Sequence, residues 1–300
     1  MTKSIVVILK SSHIIGEPVE SDIPHLIELL EKGVLKLTAK NNIKDALSKL
    51  FPAVGKIGIK PNCLAGRMMS SSPVLCQAIV KLLTDTGIDE NNLIIWERSE
   101  RELKLAGYKI NRNGKGPKVL ANDSPNVGYN NEFSSFRSVG SLLTRILTDM
   151  IDYHINFPIL KDHSIAGLSG GLKNLYGAVH NPNKYHDTNC DPYAADIYSL
   201  PEIKNKNKLT IMDCFKIQYN AGPSYNRKFA TDSNFILMSD DPVAIDAVAL
   251  DILEDIRHKN GLPDLKKAER YPSYLETAAD SNHKLGNFRR DLIDKVEIIV

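Results

Sequence analysis

Short apolar segments alternate with helical patterns in the first third of the chain, and this alternation restricts the fold more than any other feature. The run Ser4–Leu9 is β-branched and aliphatic, which is typical of a strand buried on both faces of a parallel sheet. Strands are also predicted at Lys56–Lys60 and Leu93–Trp96, with an amphipathic helix at Ser71–Gly87 between them. We therefore predict an α/β fold with a mostly parallel sheet, helices on both faces and Rossmann-like layers.

The later segments extend this pattern over residues 1–300, which we treat as one α/β domain with 1–150 and 151–300 as candidate sub-lobes. A helix is predicted at Ser141–Met150, and the segment Asn111–Phe136 is interpreted as a surface excursion with one strand at Lys118–Ala121. Further strands are predicted at Tyr153–Leu160, Leu209–Met212 and Asn234–Met238.

Charge and composition exclude several classes of function. The net charge of +2 is too small to attract nucleic acid, and no basic-aromatic stripe is present. No apolar run is long enough for a membrane span or a secretory signal, so the chain as given is expected in the cytoplasm, or exported if a signal has been trimmed.

No C-x-x-C pair occurs among the four cysteines, which are Cys63, Cys76, Cys190 and Cys214. An iron–sulfur motif is therefore absent, and buried free thiols are favoured over two disulfides. The oligomeric state stays open.

The stretch Ala166–Asp191 concentrates the residues that carry chemistry. Gly170 and Gly171 precede Lys173 and Asn174, and glycine backbone can approach a ligand closely. A lysine buried between glycines and aromatic residues could lose its charge and act as a base or nucleophile, or keep it and bind a carboxylate or phosphate. The alternative is that Lys173 extends to solvent from the start of a helix.

Charged or amide side chains follow the predicted strands: Lys60 and Asn62, Glu97 and Arg98, Asp213, and Asp240 and Asp241. Ligands bind beyond the carboxyl ends of parallel strands, so this rim suits a small anionic molecule, with a divalent metal as an option on the acidic side. Alternatively, Lys60 is a solvated strand-end residue and Arg98 belongs to a surface salt-bridge cluster.

Two further features are candidates for binding or support. His180 and His186 stand six residues apart, a spacing that matches no helical metal motif, but with Cys190 they form a candidate loop-borne metal site. His180 is also a candidate proton carrier, although structural loop histidines are common. Asp246 lies in a helix that is apolar nearly all round, so its carboxylate needs a partner, either a backbone amide or a lysine such as Lys60 or Lys173.

Four motifs together resemble the family called domain of unknown function 362: Gly58–Arg67, Ile94–Asn111, Leu160–His186 and Asp240–Leu253. The resemblance is greatest to members that carry a twin-arginine export signal. Other members add ferredoxin-type cysteine clusters, which this sequence lacks, so the iron–sulfur association does not carry over. Many relatives have a histidine where Ser72 stands here. The resemblance supports the fold and the location of the site, and it implies no particular reaction.

These observations lead to two hypotheses of different classes. In the first, the protein is an enzyme for a small anionic or carbonyl-bearing molecule, with Lys173 as base or anion clamp, Asn174 as orienting amide and His180 as proton carrier. The cofactor is unknown, and a metal-linked or redox-linked reaction is an option, although no G-x-G-x-x-G follows the first strand. In the second, the chain is a non-catalytic protein that binds a metal or a small anion.

Overall fold

A mixed β-sheet forms the centre of the computed structural model, which describes residues 3–52 and 54–300. The strands are β1 (Ser4–Lys10), β2 (Ile57–Pro61), β3 (Leu93–Glu97), β4 (Lys118–Ala121), β5 (Tyr129–Phe136), β6 (Val139–Thr144), β7 (Tyr153–Phe157), β8 (Ile159–His163), β9 (Gly167–Ser169), β10 (Asn207–Gln218), β11 (Ala230–Asp232), β12 (Phe235–Ser239) and β13 (Ile293–Ile299). The helices are α1 (Ile23–Thr38), α2 (Ile43–Leu50), α3 (Pro73–Asp85), α4 (Glu100–Leu105), α5 (Gly171–Asn174), α6 (Tyr193–Tyr198), α7 (Pro201–Lys204), α8 (Pro242–Lys259) and α9 (Tyr274–Ala279).

The main path of the sheet has the order β13-β1-β12-β10-β7-β2-β3-β4. Strand β12 pairs antiparallel with β1 and β10, and the other neighbours on this path pair in parallel. The predicted α/β fold with a mostly parallel sheet is therefore confirmed. Because β2, β3 and β7 run in the same direction, their carboxyl ends meet at one edge of the sheet.

Helices cover both faces because neighbouring strand residues point to opposite sides of the sheet. Val6 and Trp96 belong to the apolar core that includes α8, whereas Val7 and Ile95 belong to the core that includes α1 and α3. This alternation explains why central strands such as β2 and β3 are continuous apolar runs, since both faces of these strands are buried.

Helix α3 forms as the sequence predicts. The hydroxyl of Ser72 accepts a hydrogen bond from the backbone N–H of Leu75, and Pro73 occupies the first helical position, where its missing N–H costs nothing. The loop that joins β2 to this helix carries Asn62 to the same edge of the sheet as the end of β3.

The predicted helix at Ser141–Met150 is wrong. Val139, Ser141 and Leu143 are buried in alternation, which is the period of a strand, and strand β6 pairs antiparallel with β5. Only Ile146–Met150 is helical, as a single π-type turn. Strand β5 was missed within the predicted surface excursion because its residues are mainly exposed and polar, so pairing with β6 rather than an apolar pattern defines it.

The expectation that Asp213 and Asp241 belong to the rim of the site is also wrong. Strand β10 does not end at Met212 but continues through Asp213 to Gln218. Pro158 separates β7 from β8, and β10 pairs first with β7 and then with β8. Asp241 follows β12, which runs against its neighbours, so it lies at the opposite edge of the sheet. There its carboxylate accepts the backbone N–H groups of the first turn of α8 and caps that helix.

The described residues contain no helix that is long and apolar enough to cross a membrane. The four cysteines are buried free thiols.

Asp213 gives the fold a pH dependence that can be measured. It accepts the backbone N–H groups of Ser72 at 2.8 Å and Phe215 at 3.0 Å, and burial raises its pKa to about 6. The folded protein therefore binds this proton more tightly than the unfolded chain, and the free energy of unfolding falls as the pH rises from about 4 to about 6. Asp213→Asn removes this titration.

We expect the stability of Asp213→Asn relative to wild type to rise by about 2 kcal/mol between pH 4 and pH 7, measured by urea unfolding. Other titrating groups affect both proteins equally and cancel in the difference. A difference that is constant over this pH range would contradict the assignment.

Candidate functional site

A cavity of about 140 Å³ lies beyond the carboxyl ends of β2 and β3, where ligands bind in parallel sheets. Strands β2, β3 and β8, helix α5 and the loop after α5 contribute its walls. Most of its lining is polar or charged: Lys60, Asn62, Glu97, Arg98, Glu102, His163, Ser169, Lys173, Asn174, Tyr176, Asn183 and His186, with Leu64, Gly177 and Pro182.

A buried ion pair forms the base of the cavity. The amine of Lys60 lies 2.8 Å from the carboxylate of Glu97, and both side chains are almost fully buried. They meet because β2 and β3 are adjacent parallel strands that end at the same level. A Cβ at Gly177 would lie 2.8 Å from Cε of Lys60, so only glycine allows the chain to pass over the pair.

Asn174 connects this ion pair to the neighbouring elements. Its Oδ1 accepts from Lys60 Nζ at 3.3 Å and from Asn62 Nδ2 at 3.2 Å. Its Nδ2 donates to the carbonyl of Lys60 at 3.1 Å and to Oδ1 of Asn156 at 2.8 Å. Because both ends of the amide are occupied, Asn174 orients the protein groups around the cavity.

Lys161 is a second buried cation next to the cavity, and the sequence analysis missed it. Its amine donates to Oδ1 of Asn62 at 2.9 Å and to the carbonyl of Met69 at 3.4 Å. Within the described residues it forms no ion pair, and burial lowers its pKa to about 8. It therefore adds positive charge directly behind Asn62, which lines the cavity.

Lys173 lies in the cavity wall with only 7% of its surface exposed. Its amine is 2.9 Å from Nε2 of His186 and 3.3 Å from the centre of the Tyr176 ring. Nδ1 of His186 lies 3.1 Å from the carbonyl of Pro182 and must donate to it, so Nε2 is the atom that accepts from Lys173. Burial lowers the pKa of Lys173 to about 8, and burial together with the Lys173 charge lowers the pKa of His186.

His163 faces the same cavity, and it too was missed. Its Nδ1 accepts the backbone N–H groups of Ile165 at 3.2 Å and Ala166 at 3.1 Å, which places the ring hydrogen on Nε2. Burial and the nearby Lys173 charge lower its pKa to about 3, so the ring is neutral. Lys161 and His163 are two residues apart on strand β8 and share a face, but ending the predicted strand at Leu160 concealed this pair.

Asp246 holds the start of helix α5. Its carboxylate accepts the backbone N–H of Gly171 at 2.6 Å and of Leu172 at 3.0 Å, which is the backbone-amide partner that the sequence analysis considered. Burial raises its pKa to about 7. Gly170 and Gly171 do not line the cavity, and because a protein carboxylate occupies the amides of Gly171 and Leu172, these are not free for a ligand.

The cavity brings together six of the residues predicted from sequence: Lys60, Asn62, Arg98, Lys173, Asn174 and His186. Arg98 also forms an ion pair with Glu102, and its backbone N–H donates to Glu97.

His180 and Cys190 lie elsewhere. His180 is exposed, with its ring edge-on to Tyr129 at 5.0 Å, because its backbone pairs with Leu142 of β6. Cys190 is buried outside the cavity lining, next to Lys173 and Tyr176. Among residues 3–52 and 54–300, no three His, Cys, Asp or Glu side chains are grouped so as to hold a metal ion, so the predicted set of His180, His186 and Cys190 is not assembled.

The contact between Gly170 and Asp246 can be tested by one substitution. A Cβ at position 170 would lie 2.4 Å from Oδ1 of Asp246, so the carboxylate would have to move and lose its bonds to α5. We expect Gly170→Ala to lower the free energy of unfolding by about 1–3 kcal/mol in a urea titration. Gly140→Ala is the control, because a Cβ there meets nothing within 4 Å and should change stability by less than about 0.5 kcal/mol. Equal losses in the two variants would refute this role for Gly170.

Comparison with known proteins gives a family and a distant structural similarity. No functionally curated protein matches the chain. A crystal structure of a Thermotoga maritima protein from the Northeast Structural Genomics Consortium is similar over 73% of this chain, with a TM-score of 0.40 and 14% sequence identity. The chain spans 58% of the length of that protein. A family model described as Domain of unknown function (DUF362) matches residues 57–251, more than half of the chain, and the protein therefore belongs to this family.

Proposed function

We propose that the protein is an enzyme that binds a small carboxylate in this cavity and uses Lys173 to transfer a proton. The observation that carries the proposal is the state of Lys173: its amine lies in the cavity wall, forms no ion pair within the described residues, and has a pKa lowered by burial to about 8. An amine with such a pKa is present in both protonation states near neutral pH, which is what general acid–base catalysis needs.

The charges around the cavity support an anionic ligand. Four cations, Lys60, Arg98, Lys161 and Lys173, face two carboxylates, Glu97 and Glu102. Both carboxylates are already paired, Glu97 with Lys60 and Glu102 with Arg98. The positive charges of Lys161 and Lys173 are therefore uncompensated in a poorly solvated site, where a carboxylate would be bound strongly.

The size of the cavity suits a small ligand, since its volume is about 140 Å³. A carboxylate with three to five carbon atoms matches this space when part of it extends towards Arg98, whose side chain is partly exposed.

His186 supports proton transfer by Lys173. Its Nε2 accepts from the lysine amine, and its Nδ1 is held by the carbonyl of Pro182, so the ring keeps the amine in one orientation. Neutral His186 adds no charge next to the amine, which leaves Lys173 able to lose its proton.

Binding of the ligand should depend on Lys173. We expect pyruvate, propionate, 2-oxoglutarate or glutarate to bind the wild type in isothermal titration calorimetry, and Lys173→Met to weaken the tightest of them by at least about tenfold. Lys44→Met is the matched control, since Lys44 is exposed on α2, away from the cavity, and its loss should leave the affinity unchanged. If none of the four carboxylates binds the wild type, the proposal fails.

Proton transfer is tested by exchange of carbon-bound hydrogen for deuterium in D₂O, followed by NMR on each carboxylate that binds. Lys173 acts as a base only when deprotonated, so we expect the exchange rate to rise with pH up to about 8 and then to level off. Lys173→Met should abolish it. Binding without exchange at any pH would instead identify a non-catalytic anion-binding protein.

A further inference from the structure

The ring of His163 presents a hydrogen-bond donor that no group of the described residues accepts. The residue is only 7% exposed and lines the cavity. Its Nδ1 is engaged by two backbone N–H groups, so the hydrogen is on Nε2. Within the described residues, Nε2 has no hydrogen-bond partner. This N–H therefore opens to the cavity, where water can pair with it. A ligand that displaces this water must supply an acceptor oxygen, since an unpaired donor would cost free energy.

The surroundings keep His163 neutral. Lys173 of α5, Lys161 of β8 and Arg270 are cations close enough to oppose its protonation, and His186 stacks on its ring at a centroid distance of 5.7 Å. A neutral imidazole donates a hydrogen bond without giving up the proton. His163 is thus suited to polarise an oxygen atom of a ligand rather than to act as an acid.

We propose that Nε2 of His163 donates a hydrogen bond to the carbonyl oxygen of the ligand, so that the cavity takes 2-oxo carboxylates rather than plain carboxylates. This inference rests on the proposed function and names its substrate class. The cations of the cavity can pair with the carboxylate group of a ligand. The N–H of His163 then needs a further acceptor oxygen on the same molecule.

His163 and Lys173 line the same small cavity, and both contact His186. The Lys173 amine donates to His186 at 2.9 Å, and the His186 ring stacks on His163 at a centroid distance of 5.7 Å. One small ligand in this cavity can therefore contact both groups, one at its carbonyl oxygen and the other at the carbon beside the carbonyl.

The resulting reaction step is balanced without an oxidant or reductant. The neutral amine of Lys173 takes a proton from the carbon beside the carbonyl, and the electron pair of the broken C–H bond forms the C=C bond of an enolate. The negative charge that develops on the oxygen is stabilised by the N–H of His163. Return of a proton from Lys173 to carbon completes the exchange.

Two substitutions separate the roles of the two ring nitrogens. In His163→Asn, the side-chain oxygen replaces Nδ1 and keeps the acceptor for Ile165 and Ala166, but the donor at Nε2 is lost. In His163→Gln, the side-chain NH₂ reaches the position of Nε2 and keeps the donor, but the backbone acceptor is lost. We therefore expect the melting temperature, measured by thermal unfolding, to fall more in His163→Gln than in His163→Asn.

The deciding measurement is calorimetric selectivity between matched ligands, pyruvate against propionate and 2-oxoglutarate against glutarate. We expect one oxo acid to bind the wild type at least about tenfold more tightly than the matched acid that lacks the oxo group. His163→Asn should lose this preference, and His163→Gln should retain part of it. Equal binding of oxo and plain acids by the wild type, or an undiminished preference in His163→Asn, would overturn the inference and leave the proposed function intact. If none of the four acids binds, the proposed function fails and the inference with it.

Discussion

The buried ion pair between Lys60 and Glu97 is the interaction on which the rest of the site depends. Two opposite charges removed from water are tolerable only when they meet at close range and their remaining hydrogen-bonding groups are satisfied. The parallel pairing of β2 and β3 provides the first condition, and Asn174 and the carbonyl of Pro61 provide the second. Helix α5, which carries Asn174, is thereby tied to the end of the sheet, and Lys173 on the same helix is placed in the cavity wall.

Two buried carboxylates show how position decides the role of the same chemical group. Glu97 neutralises a lysine, whereas Asp246 forms no ion pair within the described part of the chain and accepts two backbone N–H groups at the start of α5. Asp246 reaches these amides from the apolar helix α8, and the absence of a side chain at Gly170 permits the approach. The ion pair at the base of the cavity and the bonds from Asp246 to the start of α5 thus both stabilise the cavity.

Burial sets the chemical character of the groups that remain. Burial lowers the pKa values of Lys161 and Lys173 to about 8, and burial together with the charge of Lys173 disfavours the charged forms of His163 and His186. A cavity of this kind has positive potential together with neutral donors and acceptors. Such a combination suits a ligand that is an anion and also carries a polarisable oxygen.

Much of the fold and part of the site can be predicted from sequence, because both follow from local patterns. Apolar runs such as Ser4–Leu9 predict strands directly, and the capping residues of α3 predict the ends of that helix. The alternation of parallel strands and helices also predicts that Lys60 and Arg98 lie at the same edge of the sheet. The glycine-rich stretch predicts a site at Lys173, and this lysine lies in the wall of the candidate cavity. The register of β10 beyond Asp213 is not a local property, since it depends on pairing with the distant strand β8. The hairpin of β5 and β6 is local, but β5 is mainly exposed and polar and so lacks the apolar pattern that would predict it.

The sequence by itself therefore determined the α/β class and the family, and it pointed to a segment that lines the candidate cavity, since periodicity, turn residues and motifs depend on residues that are neighbours in the chain. Only the tertiary structure decided which charged side chains share a cavity. The antiparallel direction of β12 moves Asp241 to the far edge, and the continuation of β8 brings in Lys161 and His163. The protonation states belong to the tertiary structure as well, because burial and the neighbours of a group, rather than its residue type, set its pKa.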